Sequence, residues 1–153
     1  MKNQAFLLKF SIFSFVIVAI LGVLMRYKIA FSLPFVEQKH LQEAHSHFAF
    51  YGFITSCIYI LVAQYLSKTV EEIQMKKYQI LIGINFFASY GMLLSFLYAG
   101  YYWLSIIFST IALLNSFVYY FFLYRDLKNL QETSKIWFLA AFFFAVLSSL
   151  GVF

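Results

Sequence analysis

The three histidines of the chain lie close together, in the segment His40-Leu41-Gln42-Glu43-Ala44-His45-Ser46-His47. Imidazole and carboxylate groups bind divalent metals, and imidazole is also an axial ligand of haem iron. The residues that follow, 48–66, carry neither charge nor histidine. Ionisable side chains at the edge of such an apolar run are costly in a membrane and are candidates for function. The histidine segment therefore carries the candidate chemistry of the chain.

One candidate is a divalent-metal site formed by His40, Glu43 and His47. At about 100° per residue of an α-helix, these side chains fall at about 0°, 300° and 340° and share one face. Imidazole and carboxylate are suitable ligands, and the site would serve metal binding or transport. The alternative is that the three residues lie in the polar membrane interface, where Glu43 is favoured near a helix N-terminus. Because His40 follows Pro34 by only six residues, we expect that it precedes the regular helix, which disfavours the metal site.

A second candidate is a haem face around His45. His45, Ala49, Gly52 and Ser56 fall at about 140°, 180°, 120° and 160° on the same helix. They form a stripe of small side chains that begins at one histidine. A macrocycle that lies against a helix needs such a shallow surface and an axial imidazole at its edge. The alternative is a contact with another helix in which His45 is hydrogen-bonded.

Composition places these residues in a membrane protein. Of the 153 residues, 63% are hydrophobic and 11% are charged, whereas a soluble domain has about 25% charged residues. Soluble, disordered and disulfide-rich classes are thereby excluded. The net charge of +5 comes from scattered basic residues, so we expect it to set loop orientation and predict no nucleic-acid partner.

The apolar runs predict an all-α, polytopic bundle that forms a single membrane domain. A span needs about 20 mostly apolar residues. The predicted spans cover about residues 6–25, 41–66, 78–98, 102–124 and 136–153. A break at Gly100 separates the third span from the fourth, because glycine weakens a helix and aromatic residues surround it. Asn85 and Asn115 lie within spans, where they predict hydrogen bonds between helices or, as the alternative, part of a polar pathway.

Basic residues in the short loops predict the orientation. With five spans, one side of the membrane carries Lys2, Lys9, Lys68, Lys76, Lys77, Arg125, Lys128 and Lys135, and the other carries Arg26, Lys28 and Lys39. The side with more basic residues faces the cytoplasm, so the N-terminus is predicted to be cytoplasmic. The histidine segment then lies at the outer side.

The segment Ala44-His45-Ser46-His47-Phe48-Ala49-Phe50-Tyr51-Gly52-Phe53 resembles the second helix of the haem-copper oxidase subunit I superfamily. It is most similar to the oxidase-like and nitric-oxide-reductase-like branches. In that family the first histidine of the segment is an axial ligand of the low-spin haem. The resemblance implies this role for His45, haem b as the cofactor, electron transfer or haem handling as the function, and the bacterial cytoplasmic (inner) membrane as the location.

The chain also departs from the family. Family members have more spans, and their remaining haem and copper ligands come from later helices, whereas no histidine follows His47 here. We therefore do not expect the isolated chain to catalyse the family's reactions. The chain is interpreted either as the N-terminal five helices of a longer protein or as a small protein that ends in the outer interface.

Two other functional classes stay open at this point. The chain is alternatively a small structural or assembly membrane protein without a cofactor, or the metal-binding protein described above. The expected partners are the lipid bilayer and other membrane subunits or a second copy of the chain.

Overall fold

The chain forms an all-α bundle in a computed structural model that describes residues 2–70, 73–128 and 134–149. Five helices follow one another along the chain: the first is Lys2–Ala30, the second Gln38–Thr69, the third Met75–Ala99, the fourth Trp103–Leu127 and the fifth Ser134–Ser149. No strand occurs in these described ranges. The predicted fold class is confirmed.

The first four helices are long and apolar enough to cross a membrane. The spans predicted over residues 6–25, 41–66, 78–98 and 102–124 each coincide with one of these helices, apart from the first residue of the last range. In the fifth helix the apolar stretch Lys135–Ala145 is shorter. The predicted fifth span continues to residue 153, and its last four residues lie outside the described part of the chain. The protein is thus a membrane protein with at least four helices able to span a bilayer.

The second helix begins earlier than expected and changes its winding. It is α-helical over Gln38–His47, a π-helix over Phe48–Thr55 and α-helical again over Ser56–Thr69. The expectation that His40 precedes the regular helix is wrong. Pro34 belongs to the preceding turn, and the extended backbone of Glu37 forms the N-cap, so the helix is already established at His40.

The third helix lies at the centre of the bundle. It packs most extensively against the second and fourth helices, and it is the most buried of the four spanning helices. Two amide side chains join it to its neighbours. Asn85 donates from Nδ2 to the carbonyl of Tyr51 at 2.8 Å and to Oγ of Ser56 at 2.9 Å. Asn115 donates to the carbonyl of Leu81 at 3.1 Å. The predicted hydrogen bonds between helices are confirmed.

Apolar side chains form a cluster at each end of the bundle. One end contains the turn at Gly100 and is called the Gly100 end; the other contains Asp126 and is called the Asp126 end. At the Gly100 end the buried cluster consists of Val18, Leu21, Leu41, Ala44, Phe48, Ala88, Met92, Leu93, Phe96 and Ala112. The Asp126 end is built around three stacked and edge-packed tyrosines, Tyr59, Tyr78 and Tyr119. The histidine segment lies over the first of these clusters.

Candidate functional site

His45 is half-buried between the second and first helices. Its Nδ1 lies 3.1 Å from the carbonyl oxygen of Val18. Because a carbonyl only accepts, Nδ1 carries the hydrogen and donates, which leaves the lone pair of the neutral ring on Nε2. Gly22 favours this close approach, since a Cβ at that position would lie 3.3 Å from Cε1 of His45, which is a tight contact. The first helix thus fixes both the position and the tautomer of this imidazole.

The small residues that follow His45 do not form one open face. The ring of Phe48 covers Gly52, because a Cβ on Gly52 would lie 2.6 Å from it. Ser56 is fully buried and accepts a hydrogen bond from Asn85. Only Ala49 remains half-buried beside His45. Angles of about 100° per residue do not apply here, because the π-helix has more residues in each turn than an α-helix.

One carbonyl of the π-helix is hydrogen-bonded by side chains. The carbonyl of Tyr51 accepts from the Ser56 hydroxyl at 3.1 Å as well as from Asn85 at 2.8 Å. Two side-chain donors, one of them from the third helix, thus pair with a carbonyl inside the π-helix. In a membrane such a carbonyl needs a partner, because no water is present to supply one. The third helix therefore helps to hold the winding of the second.

His47 faces away from His45 and contacts the turn between the third and fourth helices. Its Nε2 lies 2.7 Å from the hydroxyl of Tyr101, and its ring stacks on Phe96 with 4.5 Å between the ring centroids. Burial raises the pKa of Tyr101, and the nearby carboxylate of Glu43 raises it further. Tyr101 therefore stays protonated at neutral pH and pairs with His47.

His40 and Glu43 approach the same turn. Nε2 of His40 lies 3.3 Å from a carboxylate oxygen of Glu37. A Cβ on Gly100 would lie 2.5 Å from the His40 ring and 3.1 Å from Oε2 of Glu43. Gly100 has a positive φ of 62°, which side chains rarely adopt. Glycine is needed there for its backbone angle and for the space that these two side chains occupy.

The three side chains predicted to bind a metal therefore lie around one turn. Within residues 2–70, 73–128 and 134–149, however, no three His, Cys, Asp or Glu residues are grouped so that they could hold a metal ion. Oε2 of Glu43 is buried and has no hydrogen-bond partner among these residues. His47 already pairs with Tyr101 through Nε2. The arrangement gives no support to the metal hypothesis.

A half-open groove lies between the second and fourth helices, beside the fifth. Its volume is about 530 Å³. It is lined by Ser46, His47, Phe50, Tyr51, Thr55, Tyr101, Leu113, Ser116, Phe117, Tyr120 and Ala145. Sequence patterns did not predict this groove, because the helices that line it are far apart in the chain. His47, and not His45, lies at its edge.

A charged cluster that sequence patterns also missed closes the Asp126 end. Lys77 lies 2.8 Å and 2.6 Å from the two carboxylate oxygens of Asp126. Tyr78 donates to the same carboxylate at 2.7 Å. This ion pair joins the third helix to the fourth. Lys77, Tyr78 and Asp126 therefore stabilise the end of the bundle opposite the histidines.

No protein-family model, no curated protein and no solved structure matches this chain. The resemblance of the segment Ala44–Phe53 to haem-copper oxidase subunit I therefore stays a prediction. The role of His45 as a haem ligand stays a prediction, and so do the contributions of Ala49, Gly52 and Ser56.

Proposed function

We propose that this chain is an integral membrane protein that holds a low-spin haem through His45, for electron transfer or haem handling. The observation that supports the proposal is the hydrogen bond from Nδ1 of His45 to the carbonyl of Val18. Metal-bound histidines typically donate their second ring nitrogen to such an acceptor, which fixes the ring and raises the basicity of the other nitrogen. In His45 that other nitrogen is Nε2.

The donor and its surroundings differ in how well they fit a haem. The imidazole fits, because the first helix orients it and leaves the Nε2 lone pair free for iron. The stripe expected to lie under the macrocycle fits less well, since Phe48 covers Gly52 and Ser56 is bonded to Asn85. A bound low-spin haem would accept and release single electrons. The residues of this chain would orient one axial ligand and exclude water from it.

The proposal includes a location and partners. We place the chain in the bacterial cytoplasmic membrane, as the resemblance implies, and its N-terminus in the cytoplasm, on the basis of the distribution of basic residues. His45 then lies near the outer side. Since no histidine follows His47, a second strong axial ligand must come from another membrane subunit, a second copy or a further segment of a longer chain.

The test is a haem titration of the purified full chain in detergent, followed by visible spectroscopy. We expect a Soret band in the wild type, its loss in His45→Ala and its retention in His47→Ala. His47 is the matched control because Tyr101 already engages its Nε2. Added free imidazole should restore the band in His45→Ala by taking the vacated position, and this rescue separates loss of the ligand from loss of the fold.

Two outcomes would reject the haem proposal. One is a wild-type protein that gives no Soret band although its circular dichroism is fully helical. The other is a band that His45→Ala leaves unchanged, which would place any haem elsewhere.

The second candidate function is a structural or assembly membrane protein without a cofactor. The observation that favours it is that Phe48 of the same helix covers Gly52 and that Ser56 is bonded to Asn85 of the third helix, so neither residue offers an open surface. Under this function His45 serves only to join the second helix to the first. It predicts that His45→Ala lowers stability in the absence of any haem and that haem adds no stability to the wild type.

A further inference from the structure

The groove between the second and fourth helices extends deep into the membrane. Tyr51 lies about 20 Å along the second helix from its start at Gln38, at about 1.5 Å per residue. Tyr120 lies beyond the midpoint of the fourth helix, which spans Trp103–Leu127. Both side chains line the groove together with Thr55 and Ser116. Four hydroxyl groups thus border one space at a depth where water is scarce.

The two phenol groups are without a protein partner there. In the described part of the chain, neither the hydroxyl of Tyr51 nor that of Tyr120 forms a hydrogen bond with another residue. Ser116, in contrast, donates to the carbonyl of Ala112 in its own helix. A polar group in hydrocarbon costs free energy unless it is paired. A phenol hydroxyl can both donate and accept, and its hydrogen needs an acceptor to be paired.

The remaining lining is apolar and aromatic. Phe50, Leu113 and Phe117 flank the hydroxyls. Ligand sites between the helices of a bundle typically combine a volume of about 300–1,000 Å³ with an apolar lining and a few polar groups that fix orientation. The volume of about 530 Å³ lies within this range. A lipid acyl chain would fill the apolar part but offers no acceptor at this depth.

We propose that the groove binds a small, membrane-soluble ring compound through a carbonyl oxygen that accepts hydrogen bonds from Tyr51 and Tyr120. The flat apolar part of the compound lies between Phe50, Leu113 and Phe117. The groove borders His47 and not His45, so this proposal does not depend on haem binding. The proposed occupant is a small molecule and not another helix, because the hydrogen-bond acceptor for the two phenols comes from that molecule.

The test compares two probes of the same shape, 9-fluorenone, which has a carbonyl, and fluorene, which has none. Both are titrated against the full chain in detergent and followed by their fluorescence. We expect fluorenone to bind more tightly than fluorene. Because one hydrogen bond contributes about 0.5–1.5 kcal/mol, Tyr51→Phe and Tyr120→Phe should each weaken fluorenone binding about two- to tenfold. Neither change should alter fluorene binding.

Two control variants complete the experiment. Tyr124→Phe removes a phenol hydroxyl from an exposed position one turn beyond Tyr120, and it should leave the affinity for both probes unchanged. Thr55→Phe fills the groove and should abolish binding of both. The proposal is overturned if the wild type binds the two probes equally or binds neither. It is also overturned if Tyr124→Phe weakens fluorenone binding as much as Tyr120→Phe, because the effect would then not depend on the groove.

Discussion

His45 and His47 are two positions apart in the second helix, and they contact opposite neighbours. His45 donates to the first helix, whereas His47 pairs with Tyr101 beyond the third. Helical angles predicted this separation, because it arises within the regular α-helix Gln38–His47. The same angles placed His40 and Glu43 on one face, and both side chains do approach Gly100. Where the winding is regular, residue types and spacing are sufficient to predict direction.

The contact between His45 and the first helix predicts a specific effect of side-chain size. Gly22→Leu should force the His45 imidazole away from the carbonyl of Val18 and lower the free energy of unfolding by about 1–3 kcal/mol, as overpacking does. The matched control is Gly83→Leu, because a Cβ on Gly83 meets nothing within 4 Å. Unfolding by sodium dodecyl sulfate in mixed micelles measures both.

A second readout connects this change with function. If His45 is a haem ligand, Gly22→Leu should also weaken haem binding, whereas Gly83→Leu should not. Equal losses of stability in the two variants would contradict the close approach at Gly22.

The π-helix Phe48–Thr55 is the element that sequence patterns could not predict. Its residues are aromatic and apolar, as in any span, and neither Gly52 nor Tyr51 indicates a change of winding. A contact that can hold this winding comes from another helix, since Asn85 supplies a donor to the carbonyl of Tyr51. The stripe that includes Ala49, Gly52 and Ser56 was derived for an α-helix, and it loses its common direction where the winding changes.

The π-helix should therefore depend on Asn85. Asn85→Ala removes the donor to the Tyr51 carbonyl and to Ser56, and we expect the free energy of unfolding to fall by about 1–2 kcal/mol. Ser89→Ala is the control, because its hydroxyl is equally buried but bonds only to carbonyls of its own helix. Detergent unfolding again gives the comparison.

A double-mutant cycle with Ser56→Ala identifies the interaction directly. If Asn85 acts through Ser56 and the π-helix, the effects of the two single changes should not add. Additive effects, or an effect of Ser89→Ala as large as that of Asn85→Ala, would argue against this role.

Composition and hydropathy were sufficient to predict the bundle as a whole. An apolar run of about 20 residues can satisfy its backbone in lipid only as a helix, so the order of the four long apolar helices follows from the sequence. The groove and the ion pair of Lys77 with Asp126 were not predictable, because each joins residues from different helices. Single-sequence patterns describe helices and not the surfaces between them.

The distribution of basic residues predicts how the bundle lies in the membrane. Tyr98 and Lys76 are exposed at opposite ends of the third helix, and Cys57 is the single native cysteine. In a Cys57→Ser background, Tyr98→Cys should react with a membrane-impermeant maleimide in intact cells. Lys76→Cys should react only after permeabilisation. The reverse pattern would mean that the N-terminus faces outward.

The central position of the third helix also has a consequence for the order of synthesis. Ser14 of the first helix pairs with Tyr90 of the third, and Ser56 of the second pairs with Asn85 of the third. A growing chain that has released only its first two helices cannot form either pair. Those helices must wait in the membrane without these two contacts until the third leaves the ribosome. Closure of the bundle is therefore tied to translation of its middle segment.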